Sequence, residues 1–185
     1  MANVVIVTDM LRGFYDIGNL KNPRTGRIVP NIVRLLEKKL QGDWRAVFLR
    51  DSHDSEDKEF EMFPVHCVKG TEETSIIYPF GNFAVSRKGK RINKKRYSGF
   101  FRTGLGAFLR KVNPQEVIVV GVCTDICILI TVAELRIRDY KVIIPKDCVE
   151  TYDAPGHLAE EVNEWALNYM RNILGAKIVS LDEII

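Results

Sequence analysis

Short apolar runs alternate along this chain with stretches of helical periodicity. Val4 to Thr8 is rich in β-branched residues and stops at Asp9, the pattern of a strand buried on both faces. Ile32, Leu35, Leu36 and Leu40 recur at helical spacing behind Pro30, which reads as the opening of a helix. Ala46 to Arg50 predicts a second strand ending at Asp51, and Phe83 to Ser86 a third. Leu105 to Val112 reads as a helix and Val117 to Val120 as a strand, and the segment after Thr124 as a helix carrying Leu129, Val132, Ala133 and Leu135. A strand at Val142 to Ile144, a helix from about His157 to Leu174 and a short strand at Lys177 to Val179 complete the series. Such βα alternation predicts an α/β fold, a single-domain three-layer α/β/α sandwich with a mostly parallel central sheet.

The chain has 185 residues, enough for one full hydrophobic core and too few for two, so residues 1–185 are expected to form a single domain. Leu11 to Val29 and Ser52 to Phe83 are the longest irregular stretches, and long loops are often functional. In open α/β sheets ligands bind beyond the carboxyl ends of the strands, where Asp9, Asp51 and the segment Gly121 to Cys127 fall. Net charge is +3, but Arg87 to Arg96 alone holds seven Lys or Arg and no acid. Without interleaved aromatics this cluster reads as a solvated loop, and no nucleic-acid partner is expected. The apolar run Val4 to Val7 is too short for a signal segment, and no stretch reaches membrane-spanning length, which predicts a cytoplasmic protein with no membrane partner. In a reducing compartment the four cysteines, Cys67, Cys123, Cys127 and Cys148, are expected to be buried, metal-bound or catalytic rather than bridged.

Gly121-Val122-Cys123-Thr124-Asp125-Ile126-Cys127 joins an apolar strand to an amphipathic helix. Cys127 would sit in the first turn of that helix, where unpaired N–H groups and the dipole favour a thiolate. Position alone leaves Cys123 as a competitor. The run from Gly121 to Thr131 resembles the nucleophile motif of the isochorismatase-like cysteine hydrolases. That resemblance implies Cys127 as nucleophile, a cis bond at Val122-Cys123, and backbone amides of Cys123 and Cys127 as the oxyanion hole. It also implies Asp9, in Val-Thr-Asp-Met-Leu-Arg-Gly-Phe, as general base and acid. The lysine motif of the family is met by Lys94-Lys95-Arg96-Tyr97-Ser98-Gly99-Phe100, selecting Lys94, while the spacing in some nicotinamidases would select Lys88. The resemblance runs from Asp9 to about Asp147.

Asp51-x-His53, then Glu59, then Pro64-Val65-His66-Cys67 bring two of the three histidines into one acidic loop. Imidazole and carboxylate donors suit one divalent transition metal ion such as zinc, iron or manganese. Nicotinamidases carry a similar set, which implies Asp51, His53, Glu59 and His66 as ligands, with Glu61 close enough to compete with Glu59. The resemblance further implies a small amide substrate, nicotinamide foremost, an aromatic pocket lined by Phe14, Phe63 and Tyr97, and a homo-oligomer. N-carbamoyl or ureido amides, isochorismate, and a catalytically inactive metal-binding scaffold are the alternative readings. His157 is expected to be a surface or capping residue near a helix start.

Overall fold

The computed structural model describes residues 2–185. Five principal strands follow the apolar runs: β1 (Asn3–Thr8), β2 (Trp44–Asp51), β3 (Gly89–Lys94), β4 (Val117–Val122) and β5 (Val142–Pro145), with β6 (Val149–Glu150) and β7 (Lys177–Val179) shorter. The sheet order is β3-β2-β1-β4-β5-β7, with β6 continuing beyond β5 against the end of β4. Every strand pair is parallel.

Alternation along the strands sorts the core into two halves. Val5 and Val7 of β1, Ala46 and Phe48 of β2 and Ile118 and Val120 of β4 turn to one face. There they meet Ile28, Ile32, Leu35 and Leu36 of α1 (Thr25–Lys39) and Phe80 and Ala84 of α2 (Phe80–Val85). Val4, Ile6, Val47, Leu49, Val117 and Val119 turn to the other. That face is covered by α3 (Leu105–Val112), α4 (Leu129–Ile137) and α5 (Ala159–Asn172). Both faces are thereby covered, as a parallel sheet requires. Each core side chain is tightly held: truncating fully buried Leu35 to alanine should cost about 2–5 kcal/mol. No helix among the described residues is long and apolar enough to cross a membrane.

Three elements depart from expectation. The third strand is Gly89–Lys94, and Phe83 to Ser86 lies instead mostly in α2. Phe80 and Ala84 pack inward as one helical stripe, whereas β3 buries only Ile92 and Lys94 and forms a sheet edge. A charged edge resists pairing with other chains, so the basic stretch is mainly an edge strand rather than a loop. Helix α1 starts at Thr25, placing Pro30 inside it rather than at its opening; the buried Thr25 and Ile28 extend the apolar stripe upstream. Finally, Thr124–Ile128 forms a π-helical turn ahead of α4.

Strand β1 lies between β2 and β4, where the sheet order reverses, so the carboxyl ends of these strands open on one crevice. At its rim Thr8 is paired with Gly121, and Asp51 with Lys94. Gly121 has φ +116°, and a Cβ there would stand 2.0 Å from the Thr8 carbonyl oxygen. Only glycine lets β4 run this close to β1 just before the cysteine segment.

Candidate active site

Asp9 leaves β1 with φ 53°, a left-handed conformation that aspartate tolerates better than most residues. Its Oδ1 accepts the backbone N–H of Asp51 at 3.0 Å, and its Oδ2 lies 2.7 Å from the Lys94 ammonium. Lys94, at the last position of β3, also reaches Asp51 Oδ1 at 2.5 Å and Cys127 Sγ at 3.5 Å. Asp9, Asp51 and Lys94 are each 2% exposed or less, and Cys127 is 7% exposed. Burial opposes the Lys94 charge, but Asp51, Asp9 and Cys127 outweigh it and hold the ammonium protonated. Burial, with repulsion from Asp51, raises Asp9 to about 7, although Lys94 pulls the other way.

The same burial pushes the Cys127 thiol well above its ordinary value, Lys94 opposing and Asp9 and Asp51 adding to the rise. Desolvation here outweighs the ammonium and opposes the thiolate expected from the helix end, and Asp9 is the neighbouring carboxylate positioned to receive the thiol proton.

Of the two lysines, Lys94 meets this cluster. Lys88 lies at the opposite end of the edge strand and donates to the Leu40 and Gly42 carbonyls, both at 2.7 Å. Cys123 lines the same cavity, but the hydrogen bond from Lys94 goes to Cys127; the Cys123 thiol is raised to about 12 by burial and then Asp125, with Thr151 and Lys94 opposing. The Val122-Cys123 peptide bond is cis.

One wall of the crevice carries Asp51, His53, Glu59 and His66, all buried, with candidate ligand atoms within 4.8 Å of one another. His53 Nε2 is 3.8 Å from both Asp51 Oδ2 and Glu59 Oε1, and His66 Nε2 is 3.7 and 3.9 Å from the same two oxygens. These separations are long for hydrogen bonds but suit donors sharing one cation, since ligands about 2.1 Å from a metal stand roughly 3 to 4 Å apart. His66 is oriented from behind, its Nδ1 2.7 Å from the Pro64 carbonyl. Around this wall Asp9, Asp51, Asp57 and Glu59 face Lys94 and Arg96. Four carboxylates thus meet two cations, a local excess of acidic groups that a bound cation would offset. Glu61 is exposed, so Glu59 is the carboxylate brought into the set. Asp51 joins the two halves, one oxygen toward Lys94 and the other toward the histidines.

Phe14, Phe63 and Tyr97 line the cavity between the two halves, with Asp9, Asp51, Glu59, His66, Cys123 and Cys127. Its volume is about 30 Å³, roughly the share of one water in the liquid, so a ring can enter only if the aromatic walls part. A wider groove of about 510 Å³ lies beyond Phe14, Val122 and Cys123, but Asp9, Lys94 and Cys127 do not line it. The small cavity is the one at the chemistry.

A family model described as Isochorismatase domain matches residues 3–183. The chain belongs to the isochorismatase family. Among relatives in this family, the uncharacterized isochorismatase family protein PncA of Bacillus subtilis (strain 168) is 31% identical over 188 residues, covering 96% of this chain and 99% of its own length. The solved pyrazinamidase of Pyrococcus horikoshii in complex with zinc superposes with a TM-score of 0.83 at 27% identity, over 97% of this chain and 99% of that one. N-carbamoylsarcosine amidase from Thermoplasma acidophilum gives a TM-score of 0.85 at 27% identity, covering 100% and 99%.

Some residues of this isochorismatase-family site escape a reading of the sequence. Phe60 packs on both His53 and His66, with ring centroids 5.3 and 5.6 Å away. Asp57 and Arg96 lie behind the histidine wall, joined at 2.6 Å. His157 does not cap α5. Asp153 does so, accepting from the Ala159 N–H at 2.8 Å, while His157 stacks on Tyr152 and meets Asp125 Oδ2 at 3.0 Å. Asp57 sits four residues after His53, a helical spacing in a loop with no periodicity to mark it, so its pairing follows from tertiary placement alone.

Proposed function

We propose that this chain is a metal-assisted cysteine amidohydrolase that converts nicotinamide to nicotinic acid and ammonia. The observation that carries the reading is Asp51, shared between a buried Asp–Lys–Cys group and a four-donor wall one cavity away. Solved relatives whose names specify pyrazinamidase or nicotinamidase activity support it.

Asp51, His53, Glu59 and His66 would hold the divalent ion, zinc being the one seen in a relative. When bound, it would supply a fixed electrophilic contact that orients the substrate's heteroatom. Phe14, Phe63 and Tyr97 close on a flat ring and exclude water. Asp9 then accepts the Cys127 thiol proton, and Sγ attacks the carboxamide carbon, forming a C–S bond. Backbone N–H groups of Cys123 and Cys127 receive the negative oxygen. Asp9 returns its proton to the nitrogen, the C–N bond breaks and ammonia leaves a thioester on Cys127. Asp9 next deprotonates a water that attacks the thioester, releasing the acid and restoring the thiol. Lys94 stays cationic throughout and stabilises whichever of Asp9 and Cys127 carries the charge.

The fold alone does not separate this from an N-carbamoyl amidase, since that relative superposes equally well; the donor wall favours nicotinamide. The deciding experiment is ammonia release from nicotinamide, N-carbamoyl compounds and ureido acids on protein of measured metal content. Turnover of nicotinamide lost on chelation and restored by metal is the expected result. Undiminished nicotinamide turnover after verified metal removal, or turnover of the carbamoyl compounds alone, would refute it.

A further inference from the structure

We propose that Asp57 and Arg96 are a positioning pair that preorganises the donor wall, setting the tautomer of His53 and the placement of Glu59. The inference rests on the metal-site reading above. His53 is fully buried, and Nε2 points at the oxygens of Asp51 and Glu59. At the other side of the ring, Asp57 Oδ2 stands 3.4 Å from Nδ1. A neutral imidazole has one N–H and one lone pair. A carboxylate beside Nδ1 keeps the proton there and leaves the Nε2 lone pair facing the centre of the wall.

The same carboxylate reaches a second donor. Asp57 Oδ1 accepts the backbone N–H of Glu59 at 3.0 Å, and Arg96 Nη1 at 2.6 Å. Arg96 Nη1 also lies 3.8 Å from Glu59 Oε2. Asp57 therefore touches two of the four donor residues, and Arg96 offsets its charge next to Asp51 and Glu59. Without that guanidinium, three carboxylates would crowd one wall.

Sequence position adds a reason. Arg96 follows Lys94 by two residues, so one short segment sends an ammonium to Cys127 and a guanidinium to the metal loop. Lys95, between them, pairs with Asp54, both side chains being about half exposed or more, at 48% and 64%. The Asp57 carboxylate is only 5% exposed. Adjacent pairs of the same chemistry thus differ in whether they touch the donors, and Lys95–Asp54 serves as an internal control. His66 offers a contrast too, because it is oriented by a backbone carbonyl that no side-chain change removes.

The test uses the full chain, freed of metal and titrated with Zn²⁺ against a chromogenic chelator, with Co²⁺ absorption reporting the geometry. Circular dichroism checks that each variant is folded. Asp57→Asn and Arg96→Ala should weaken Zn²⁺ binding about 10- to 100-fold and shift the Co²⁺ bands, Arg96→Lys should recover part of the loss, and Asp54→Asn should bind as wild type does. Wild-type affinity and an unshifted Co²⁺ spectrum in folded Asp57→Asn overturn the proposal, as does equal weakening by Asp54→Asn. A wild-type chain that binds neither ion overturns the metal-site reading itself, and with it this inference, and is told apart by that result alone.

Discussion

Replacing Lys94 with methionine keeps most of the side-chain volume and removes a buried cation that lies 2.7 Å from Asp9 and 2.5 Å from Asp51. Two carboxylates, each 2% exposed or less, then lose their common partner. Breaking a buried ion pair from one side costs about 3–5 kcal/mol, a large part of the 5–15 kcal/mol that holds a typical domain folded. The loss has a pH signature. Lys94 holds Asp51 below its ordinary 3.8 against the opposing effect of burial. A depressed acid stabilises the fold above its unfolded pKa and loses that contribution as pH falls through the folded one. Asp9, raised to about 7, instead takes up a proton first as pH falls, relieving the crowding. The deficit of Lys94→Met should therefore be greatest above neutrality and shrink steadily into acid. Urea unfolding of metal-free protein across pH measures it. Adding Asp9→Asn to Lys94→Met should restore part of the lost stability, because one uncompensated charge disappears. A Lys94→Met deficit below about 1 kcal/mol at pH 8, or one that grows in acid, would refute the account of a buried cation shared by two carboxylates.

Other consequences are open to direct measurement. Cys127→Ala should abolish ammonia release and leave unfolding unchanged within about 1 kcal/mol, whereas Lys88→Ala should retain wild-type turnover; steady-state assays of both decide. Activity of the metal-loaded protein as kcat/KM should rise with pH along a limb lying below the value of about 7 that burial and Asp51 give Asp9 without metal, since a divalent ion beside Asp51 cancels part of that repulsion; a limb above about 7 in steady-state assays would contradict this. Gly121→Ala, whose Cβ would meet the Thr8 carbonyl oxygen at 2.0 Å, should destabilise the fold by about 3 kcal/mol or more, read from thermal unfolding.

Much of this protein is legible from its order of residues. Apolar runs ending at Asp9 and Asp51 mark strands of a parallel sheet, and a glycine-led segment entering a helix marks where a reactive cysteine would stand. Periodicity and strand-end position are local properties, so these elements can be read without coordinates, whereas the donor set of the second loop is implied by the resemblance to a known family. The edge strand Gly89–Lys94 hides because an edge buries few of its side chains, and the neighbouring apolar Phe83 and Val85 belong to a helix. Choosing Lys94 over Lys88, or Glu59 over Glu61, needs the direction in which each side chain leaves its element. Pairing Asp57 with Arg96 across 39 residues needs the fold itself. The sequence by itself determined which chemical groups the crevice could contain. Tertiary structure alone decided their protonation and their partners, because burial and charge separation are set by distances between segments far apart in the chain.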